Sequence, residues 1–392
     1  MKKYSSYLLK GLRNLIGWHF LYKRIAKIMV LSVGLLAVAG WTWNAGAQEP
    51  KPRMKIGAYY FAGWSGQSRF DDGTPENVWA KGMPTHYTRK LATEFAGRTP
   101  IWGWRDDTQE IMERQIDLAA DNGLAYFSFC WYWADNKGPI NVEKIEADSK
   151  HLPMRLFMQA KNNNRMEFSL LVANHGGFEI IGVDAWKQAA DYWIKNYFKH
   201  PRYLRMDGKP VIVIFGTGGG NSEGFAYLQE AARKAGFPGV EIASNGRGKR
   251  EVGYTLWANY GILPPRPKPG MHSYSEIIEA SLLRWKGTPE QRYIPSVSVG
   301  WDNRPWSGPG GLSNSGVDNS YYFIEGKSPD AFARLLELTI QWMDMNPDEV
   351  TKDRLAVIYA WNEIGEGGWL VPCKDDPDGA YLKAIRNVVF GK

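Results

Sequence analysis

The sequence predicts an α/β fold in which one (β/α)8 TIM-like barrel makes up the whole mature chain. Eight strand-like apolar runs follow one another, and segments with helical periodicity separate most of them. Most runs are continuously apolar, as expected for parallel strands buried on both faces. Eight strands alternating with helices within about 345 residues are typical of such a barrel.

The elements alternate in a regular order. The predicted strands are residues 56–61, 124–129, 168–174, 210–215, 240–244, 254–258, 294–300 and 355–361. The predicted helices are residues 108–123, 184–198, 223–236, 274–285 and 329–345, the first of them capped by Thr108. Little helix fits between residues 244 and 254. An open doubly wound sheet is the alternative, but the glycine-rich phosphate turn expected after its first strand is missing here.

The first 47 residues have the pattern of a secretory signal peptide. They carry seven basic residues and no acidic ones, then a 13-residue run at 28–40 and a small-residue site ending at Ala47. That run is too short to span a bilayer comfortably, which argues against an uncleaved anchor. We therefore expect cleavage after Ala47, a catalytic barrel at 48–392, and a secreted or periplasmic protein that is not a lipoprotein.

Charge and cysteine content exclude several classes of protein. The chain has 48 basic and 41 acidic residues, so removing the seven basic residues of the leader leaves 41 of each. A neutral mature chain lacks the basic footprint of nucleic-acid binding. Only Cys130 and Cys373 are present, too few for a disulfide framework; one bridge is possible, but two separate buried thiols are favoured. Oligomeric state is left open.

Aromatic and polar residues cluster where the predicted strands end, which is where catalytic groups lie in this fold. The candidate substrate-binding residues are Tyr59, Tyr60, Trp64, Trp131, Trp133, Asn174, His175, Trp301, Asp302, Asn303, Asn362 and Trp369. Aromatic rings match the apolar faces of sugars, and Asp and Asn side chains hydrogen-bond hydroxyl groups. We expect a poly- or oligosaccharide substrate, about half of the tryptophans to be structural, and no metal or other cofactor.

Two acids, Glu363 and Glu366, follow the eighth strand in the stretch AWNEIGEGGW at 360–369. In a helix-like turn their Cβ atoms would lie about 5–6 Å apart. A short separation of two carboxyl groups is associated with glycoside cleavage with retention. Neighbouring glycines allow a tight turn, and the like charges should raise one pKa. The alternative is a solvated surface pair, which is common; the position at a strand end favours catalysis.

Four segments resemble the glycoside hydrolase family 99-like proteins and their WbsX relatives. Residues 360–372 (AWNEIGEGGWLVP) resemble the N-E-x-x-E-G motif, and residues 299–306 (VGWDNRPW) resemble the G-W-D-N segment of the WbsX group. Residues 127–133 (FSFCWYW) and 203–215 (YLRMDGKPVIVIF) resemble the segments around the second and fourth strands. The resemblance follows the expected order over nearly the whole mature chain.

The resemblance implies a (β/α)8 fold and a retaining, endo-acting glycosidase. In the endo-mannosidase branch the first acid is the base that deprotonates the sugar 2-hydroxyl, giving a 1,2-anhydro sugar, and the second is the general acid and then base. In this chain the resemblance implies that Glu363 is the base and Glu366 is the general acid and then base. The chain departs from the pattern at Gly365, where the endo-mannosidases have His, at His175, where an acid is common, and at Val371, where relatives often have Glu.

Three other functions share some of these features. A non-catalytic glycan-binding barrel would use the same aromatic residues but does not need two adjacent acids. A glycosyltransferase needs a nucleotide-sugar donor, which an exported chain lacks, and the sequence shows no nucleotide fingerprint. A polysaccharide lyase would be expected to use a Tyr, His or Lys base. The sugar, the linkage and the choice between endo and exo action are left open by the sequence.

Overall fold

A curled sheet of parallel strands forms the centre of the fold in the computed structural model. The structure describes residues 51–133, 140–216, 219–246, 248–264, 268–312 and 322–392, and Pro52–Lys392 form one compact unit. The strand order in the main sheet is β10-β12-β1-β2-β3-β5-β6-β7-β9, and β4 pairs with the edge of β5 in antiparallel fashion. Two further sheets have two strands each, β11 with β8 and β13 with β14.

The strand bounds lie close to those predicted. They are β1 Lys55–Tyr60, β2 Tyr126–Trp131, β3 Glu167–Ala173, β4 Arg205–Met206, β5 Lys209–Phe215, β6 Glu241–Asn245, β7 Leu256–Ala258, β8 Gly270–Ser273, β9 Arg292–Tyr293, β10 Ser296–Ser298, β11 Tyr322–Glu325, β12 Leu355–Tyr359, β13 Asn362–Glu363 and β14 Gly368–Trp369. All eight predicted strands have a counterpart in the main sheet.

Helices follow most of the sheet strands. They are α1 Arg89–Ala92, α2 Gln109–Asp121, α3 Val142–Ala147, α4 Leu152–Gln159, α5 Val183–Trp193, α6 Ser222–Lys234, α7 Tyr274–Arg284, α8 Pro329–Met345 and α9 Ala380–Phe390. The Thr108 side chain accepts a hydrogen bond from the Ile111 amide and so caps α2, as predicted. Within the described residues, only the short 3-10 turn Arg250–Val252 lies between β6 and β7.

Both ends of the sheet order come from one short stretch of chain. β9 pairs with β7, and β10 pairs with β12, while only Ile294 and Pro295 separate β9 from β10. The Ile294 amide donates to the Trp257 carbonyl, and the Pro295 carbonyl accepts from the Val357 amide, both at 2.9 Å. The two edges of the sheet therefore meet at residues 292–298. The predicted α/β class is confirmed, and the parallel sheet is strongly curled; the (β/α)8 barrel itself stays a prediction.

The side chains of each strand divide between two apolar layers. On β1, Tyr59 belongs to a cluster inside the curled sheet, whereas Tyr60 packs in the layer between the sheet and the helices. On β12, Val357 and Tyr359 lie in the inner cluster and Ile358 in the outer one. Successive side chains of a strand point to opposite faces, so this parity decides which residues can reach a cavity at the end of the sheet.

One buried hydrogen bond joins α2 to the end of β12. The Trp361 indole N–H donates to the Gln115 side-chain carbonyl at 2.6 Å, and both side chains are fully buried. Trp361 also packs on Phe127 of β2, with ring centroids 5.0 Å apart. Because Trp361 directly precedes Asn362 and Glu363, this contact anchors the chain just before the acid pair.

No helix among the described residues is both long enough and apolar enough to cross a membrane. The predicted signal peptide at 1–47 lies outside the described residues and stays a prediction.

We expect the contact between Trp361 and Gln115 to show up as a coupling energy in a double-mutant cycle. Trp361→Phe should lower the free energy of unfolding by about 2 kcal/mol, because it removes buried volume and leaves the Gln115 carbonyl without its donor. Adding Gln115→Leu should return about 1 kcal/mol relative to the sum of the single variants. Denaturant unfolding of the four proteins measures this, and strict additivity would contradict it.

Candidate active site

Glu363 and Glu366 line the same cavity. Glu363 ends β13, and Glu366 closes the 3-10 turn Ile364–Glu366. Side chains at positions i and i+3 of a 3-10 turn eclipse one another, which directs both acids to one side. The cavity, here called the acid cavity, has a volume of about 430 Å3. Its lining residues are Phe61, His86, Cys130, Tyr132, Lys150, Leu171, Ala173, His175, Phe178, Phe215, Tyr260, Trp306, Leu312, Glu363 and Glu366.

Glycines shape the turn that carries the acids. Gly367 has φ +85°, and a Cβ on it would overlap the backbone of Asp302, whose amide donates to the Glu366 carbonyl at 2.6 Å. A Cβ on Gly365 would overlap the indole of Trp306. The predicted tight turn is therefore present, and the space beside Gly365 is occupied by an aromatic wall of the acid cavity.

Glu363 is buried and Glu366 is half-buried, and each accepts a hydrogen bond from a phenol group. Tyr260 donates its O–H to Oε1 of Glu363, and Tyr359 donates to Oε2 of Glu366 at 2.6 Å. Oε2 of Glu363 is buried and has no hydrogen-bond partner among the described residues. Burial raises the pKa of Glu363 well above its usual value, and the nearby Glu366 charge raises it further. Burial also raises the pKa of Glu366. Two carboxyl groups this close oppose simultaneous ionisation of the pair.

A buried polar network holds the acid turn from behind. The Asn362 side chain accepts from the Phe61 amide at 2.7 Å and donates to the Phe61 carbonyl at 2.8 Å. Asp106 accepts hydrogen bonds from the Tyr60 hydroxyl at 2.9 Å and from the Asn362 amide at 3.3 Å. Burial raises the pKa of Asp106 to about 7. The Trp64 indole donates to the Asn362 carbonyl at 2.7 Å. This network ties β13 to the end of β1.

The candidate residues from the sequence fall into three groups. Glu363, Glu366 and His175 line the acid cavity. Trp301, Asp302 and Trp369 line a second cavity, described below. The side chains that line neither cavity in the described part of the chain are Tyr59, Tyr60, Trp64, Trp131, Trp133, Asn174, Asn303 and Asn362. Direct contact of this third group with a sugar stays a prediction.

Several members of the third group have identifiable partners. The Tyr59 hydroxyl donates to the Asn259 carbonyl at 3.1 Å. The Trp131 indole donates to the Tyr197 hydroxyl at 3.3 Å, and the Trp133 ring packs on Trp131. The Asn174 side chain donates to the Gly219 carbonyl at 2.6 Å and accepts from the Ile180 amide at 2.7 Å. These contacts hold strands, helices and loops together around the cavity.

Strand parity explains which cavity residues the sequence analysis missed. On β2 and just beyond it, Cys130 and Tyr132 reach the acid cavity, while the alternating Trp131 and Trp133 pack toward the helices. Tyr260 lies two residues past β7, a strand end at which the sequence analysis predicts no site residue. Alternation within FSFCWYW and the strand-end rule together could have identified all three.

The second cavity lies on the other side of the acid turn and has a volume of about 440 Å3. Its lining residues are Glu94, Phe95, Gly97, Arg98, Trp301, Asp302, Arg304, Ile324, Lys327, Gly367, Trp369, Cys373, Asp375, Asp376 and Tyr381. Asp302 forms ion pairs with Arg98 and with Arg304, the latter at 2.8 Å. The Arg98 guanidinium also donates to the Ile364 carbonyl at 3.0 Å, which connects this cavity to the acid turn.

Each cavity contains one cysteine. Cys130 lines the acid cavity and Cys373 the second cavity, and both are free and buried, as favoured from the sequence. In the described part of the chain, no group of three or more His, Cys, Asp or Glu side chains could hold a metal ion. The absence of a required cofactor stays a prediction.

Comparison with known families decides the relationship. The family model described as Glycosyltransferase WbsX matches residues 104–258 and 256–385, more than half of the chain. The chain belongs to the WbsX family. The resemblance found in the sequence is thereby confirmed.

The relatives of this WbsX-family chain are distant. It is 22% identical over 304 residues to protein WxcX of Xanthomonas campestris pv. campestris, which is described as uncharacterized. The match covers 68% of this chain and 39% of the length of WxcX. Two structures of a GH99 endo-alpha-mannosidase from Bacteroides thetaiotaomicron align with TM-scores of 0.53 and 0.54, at 15% and 13% identity. They cover 86% and 87% of this chain and 97% of the mannosidase, so the likeness is one of fold.

The raised pKa of Glu363 predicts a stabilised variant. An acid whose pKa is raised by folding binds its proton more tightly in the folded state, so stability falls as pH rises above the usual value near 4.5. Glu363→Gln removes this penalty. The variant should exceed the wild type by about 1 kcal/mol or more at about pH 7 and lose this advantage toward about pH 4.

Thermal unfolding of both proteins across that pH range tests the prediction. The matched control is Glu279→Gln, which changes an exposed acid on α7 and should keep the wild-type profile. Parallel profiles for Glu363→Gln and the wild type would contradict the burial argument.

Proposed function

We propose that this WbsX-family chain is an exported retaining glycoside hydrolase that cleaves within a polysaccharide or glycan. The observation that carries the proposal is the acid pair, buried Glu363 and half-buried Glu366, facing one cavity at the C-terminal end of a curled parallel sheet. Such strand ends carry the active sites of TIM-like barrels. The fold shared with an endo-alpha-mannosidase supports the same class of reaction.

The architecture behind the proposal is a closed barrel. Because β9 and β10 are nearly continuous and pair to opposite sides, we treat residues 292–298 as one barrel strand, which gives eight strands in the ring. The proposed domain organisation is a signal peptide at 1–47 and a catalytic barrel at 48–392. The family name suggests transfer from an activated donor instead, which the product analysis below distinguishes.

The proposed reaction runs in two steps with balanced proton transfers. In the first, Glu363 takes the proton of the sugar 2-hydroxyl, whose oxygen attacks the anomeric carbon, while Glu366 protonates the departing glycosidic oxygen. In the second, Glu366 takes a proton from water, which opens the 1,2-anhydro sugar at the anomeric carbon, and Glu363 returns its proton to the 2-oxygen. Two inversions at one carbon give net retention.

The acid pair requires that one member be protonated and the other ionised. Both acids accept hydrogen bonds from neutral phenols, and no cation is among their hydrogen-bond donors in the described part of the chain, which favours a single shared proton. The reaction uses the form with the proton on Glu366 and the charge on Glu363. Because the Glu366 charge raises the pKa of Glu363, this is the less populated of the two singly protonated forms. A hydroxyl group of the substrate that approaches Oε2 of Glu363 would meet a buried oxygen without a partner, so substrate binding compensates for its lost hydration.

Replacing either acid with its amide should abolish cleavage while leaving the fold intact. A panel of polysaccharides is incubated with the wild type, Glu363→Gln and Glu366→Gln, and new reducing ends are measured. We expect both variants to lose at least about 1,000-fold in rate but to keep glycan affinity. NMR of the first product of the wild type should show the anomeric configuration of the substrate.

Four other outcomes would favour a rival function or mechanism. Glycan binding by the wild type without release of any reducing end would favour the binding barrel. An inverted first product would exclude the retaining mechanism, a product absorbing in the ultraviolet would indicate a lyase, and transfer only from a nucleotide sugar would indicate a glycosyltransferase.

The two phenol donors allow each acid to be assigned to one limb of the pH profile. The Tyr260 hydroxyl lowers the pKa of Glu363, and the Tyr359 hydroxyl lowers that of Glu366. Because the Glu366 charge raises the pKa of Glu363 further, Glu363 should set the alkaline limb. Tyr260→Phe should therefore move the alkaline limb of the kcat/KM profile upward by about one pH unit, and Tyr359→Phe should move the acidic limb upward by a similar amount. The reverse pattern would show that Glu366 has the higher pKa.

A further inference from the structure

The second cavity contains a lysine amino group for which the described part of the chain provides no hydrogen-bond acceptor. Nζ of Lys327 is inaccessible to solvent and has no hydrogen-bond partner among the described residues. It lies 3.1 Å from the centroid of the Trp369 ring. A buried ammonium loses most of its hydration, and a cation–π contact replaces only part of it. The Lys327 ammonium is therefore a buried hydrogen-bond donor for which the described residues provide no acceptor.

Three cationic side chains, Arg98, Arg304 and Lys327, lie together in the second cavity. The Arg98 guanidinium lies 5.0 Å from the centroid of the same Trp369 ring, so two cations share one indole. The single carboxylate of Asp302 is paired with both Arg98 and Arg304. Counting Lys327, three positive side chains therefore face one negative one in this part of the cavity.

The remaining acids of the second cavity are placed differently. Glu94 and Asp375 are exposed, so water screens their charges. The Asp376 side chain already accepts a hydrogen bond from the Ala380 amide, at 2.8 Å, at the start of α9. The buried positive charge is thus not neutralised by these carboxylates, and an anionic group entering the cavity would supply the missing acceptor.

We propose that the second cavity is a saccharide subsite for an acidic sugar, whose carboxylate accepts a hydrogen bond from the Lys327 ammonium. The aromatic side chains of Trp301 and Tyr381 in the lining suit a sugar ring better than a small inorganic anion. A volume of about 440 Å3 is of the size used for small-molecule ligands. The proposal deepens the proposed function and rests on it in assuming a glycan ligand.

The two cavities share a wall, which suits one extended ligand. Glu366 lines the acid cavity, and the next residue, Gly367, lines the second cavity. The Asp302 amide donates to the Glu366 carbonyl at 2.6 Å, so a residue of the second cavity holds the acid turn directly. An oligosaccharide that extends past this turn would place one unit at the acids and the acidic unit at Lys327.

The charge of Lys327 should make acidic-sugar binding depend on pH. Burial and the nearby Arg98 charge together lower the pKa of Lys327 to about 7, although Cys373, Asp302 and Asp375 act in the opposite direction. Other charged or titratable groups facing the cavity are Glu94, Arg304, Asp376 and Tyr381. Since only the protonated amine is a cation, affinity for a carboxylate should be highest at low pH and fall as pH rises above about 7.

Calorimetric titration of the full-length mature protein tests the subsite. D-glucuronate, D-glucose and inorganic sulfate are each titrated into the wild type and Lys327→Met. We expect the wild type to bind glucuronate at least about tenfold more tightly than glucose or sulfate, and the variant to lose that preference. The control Lys234→Met removes an exposed lysine paired with Glu230 and should retain it.

A measurement on the wild type alone tests the subsite even if Lys327→Met does not fold. The dissociation constant for glucuronate should rise at least tenfold between about pH 6 and about pH 9, while that for glucose stays constant. Equal affinity for glucuronate and glucose, an unchanged constant in folded Lys327→Met, or a pH-independent constant would each overturn the proposal. Sulfate binding as tightly as glucuronate would show a bare anion site and overturn the saccharide assignment.

Glu366→Gln distinguishes this proposal from the proposed hydrolase. It should lose cleavage and keep the affinity for glucuronate, because it changes only the acid cavity. Cleavage by the wild type without any preference for glucuronate would overturn the subsite and leave the hydrolase. Glucuronate binding at Lys327 with no cleavage of any glycan would support the subsite and overturn the hydrolase.

Discussion

The burial of two carboxyl groups on one tight turn is the constraint on which the rest of the site depends. Removing Glu363 and Glu366 from water raises the pKa of each, and their proximity raises that of Glu363 further. An arginine or lysine bonded to the pair would favour two ionised carboxylates and leave no proton to donate. Tyr260 and Tyr359 instead donate neutral hydrogen bonds. They fix the position of each acid and keep a shared proton available.

A turn with such electrostatic cost must be held firmly by its surroundings. The Asn362 amide bonds to the end of β1 on one side, and Arg98 donates to the Ile364 carbonyl on the other. The Asp302 amide closes the turn at Glu366, which is possible only because Gly367 has no side chain. Buried polar groups of this kind are stable when their partners are complete, so several residues outside the acid cavity set the geometry within it.

The strand order and the acid pair could be predicted because both depend on local patterns. Apolar runs identified all eight strands, and the rule that active sites lie at strand ends selected Glu363 and Glu366. The remaining site residues depend on which face of a strand each side chain occupies. Trp131 and Trp133 are the residue types expected to bind sugars, but it is Cys130 and Tyr132 whose side chains lie on the face of the strand that lines the cavity. The sequence could not show that Trp301 and Trp369 line a different cavity from the two acids. Their placement depends on the hairpin between β13 and β14 and on its contact with residue 302, which joins parts of the chain that are distant in sequence.

The two cavities show the same physical effect acting on groups of opposite charge. Burial disfavours any charged form, so it raises the pKa of the acids on one side of the turn and lowers that of Lys327 on the other. Oε2 of Glu363 and Nζ of Lys327 both lack a hydrogen-bond partner among the described residues. A ligand with a hydroxyl group at Glu363 and a carboxylate at Lys327 would satisfy both through groups the protein leaves unpaired. The acid pair and Lys327 would then discriminate neutral from acidic sugar units. The carboxylate of an acidic sugar would be repelled by the charge on the acid pair and attracted by the Lys327 ammonium.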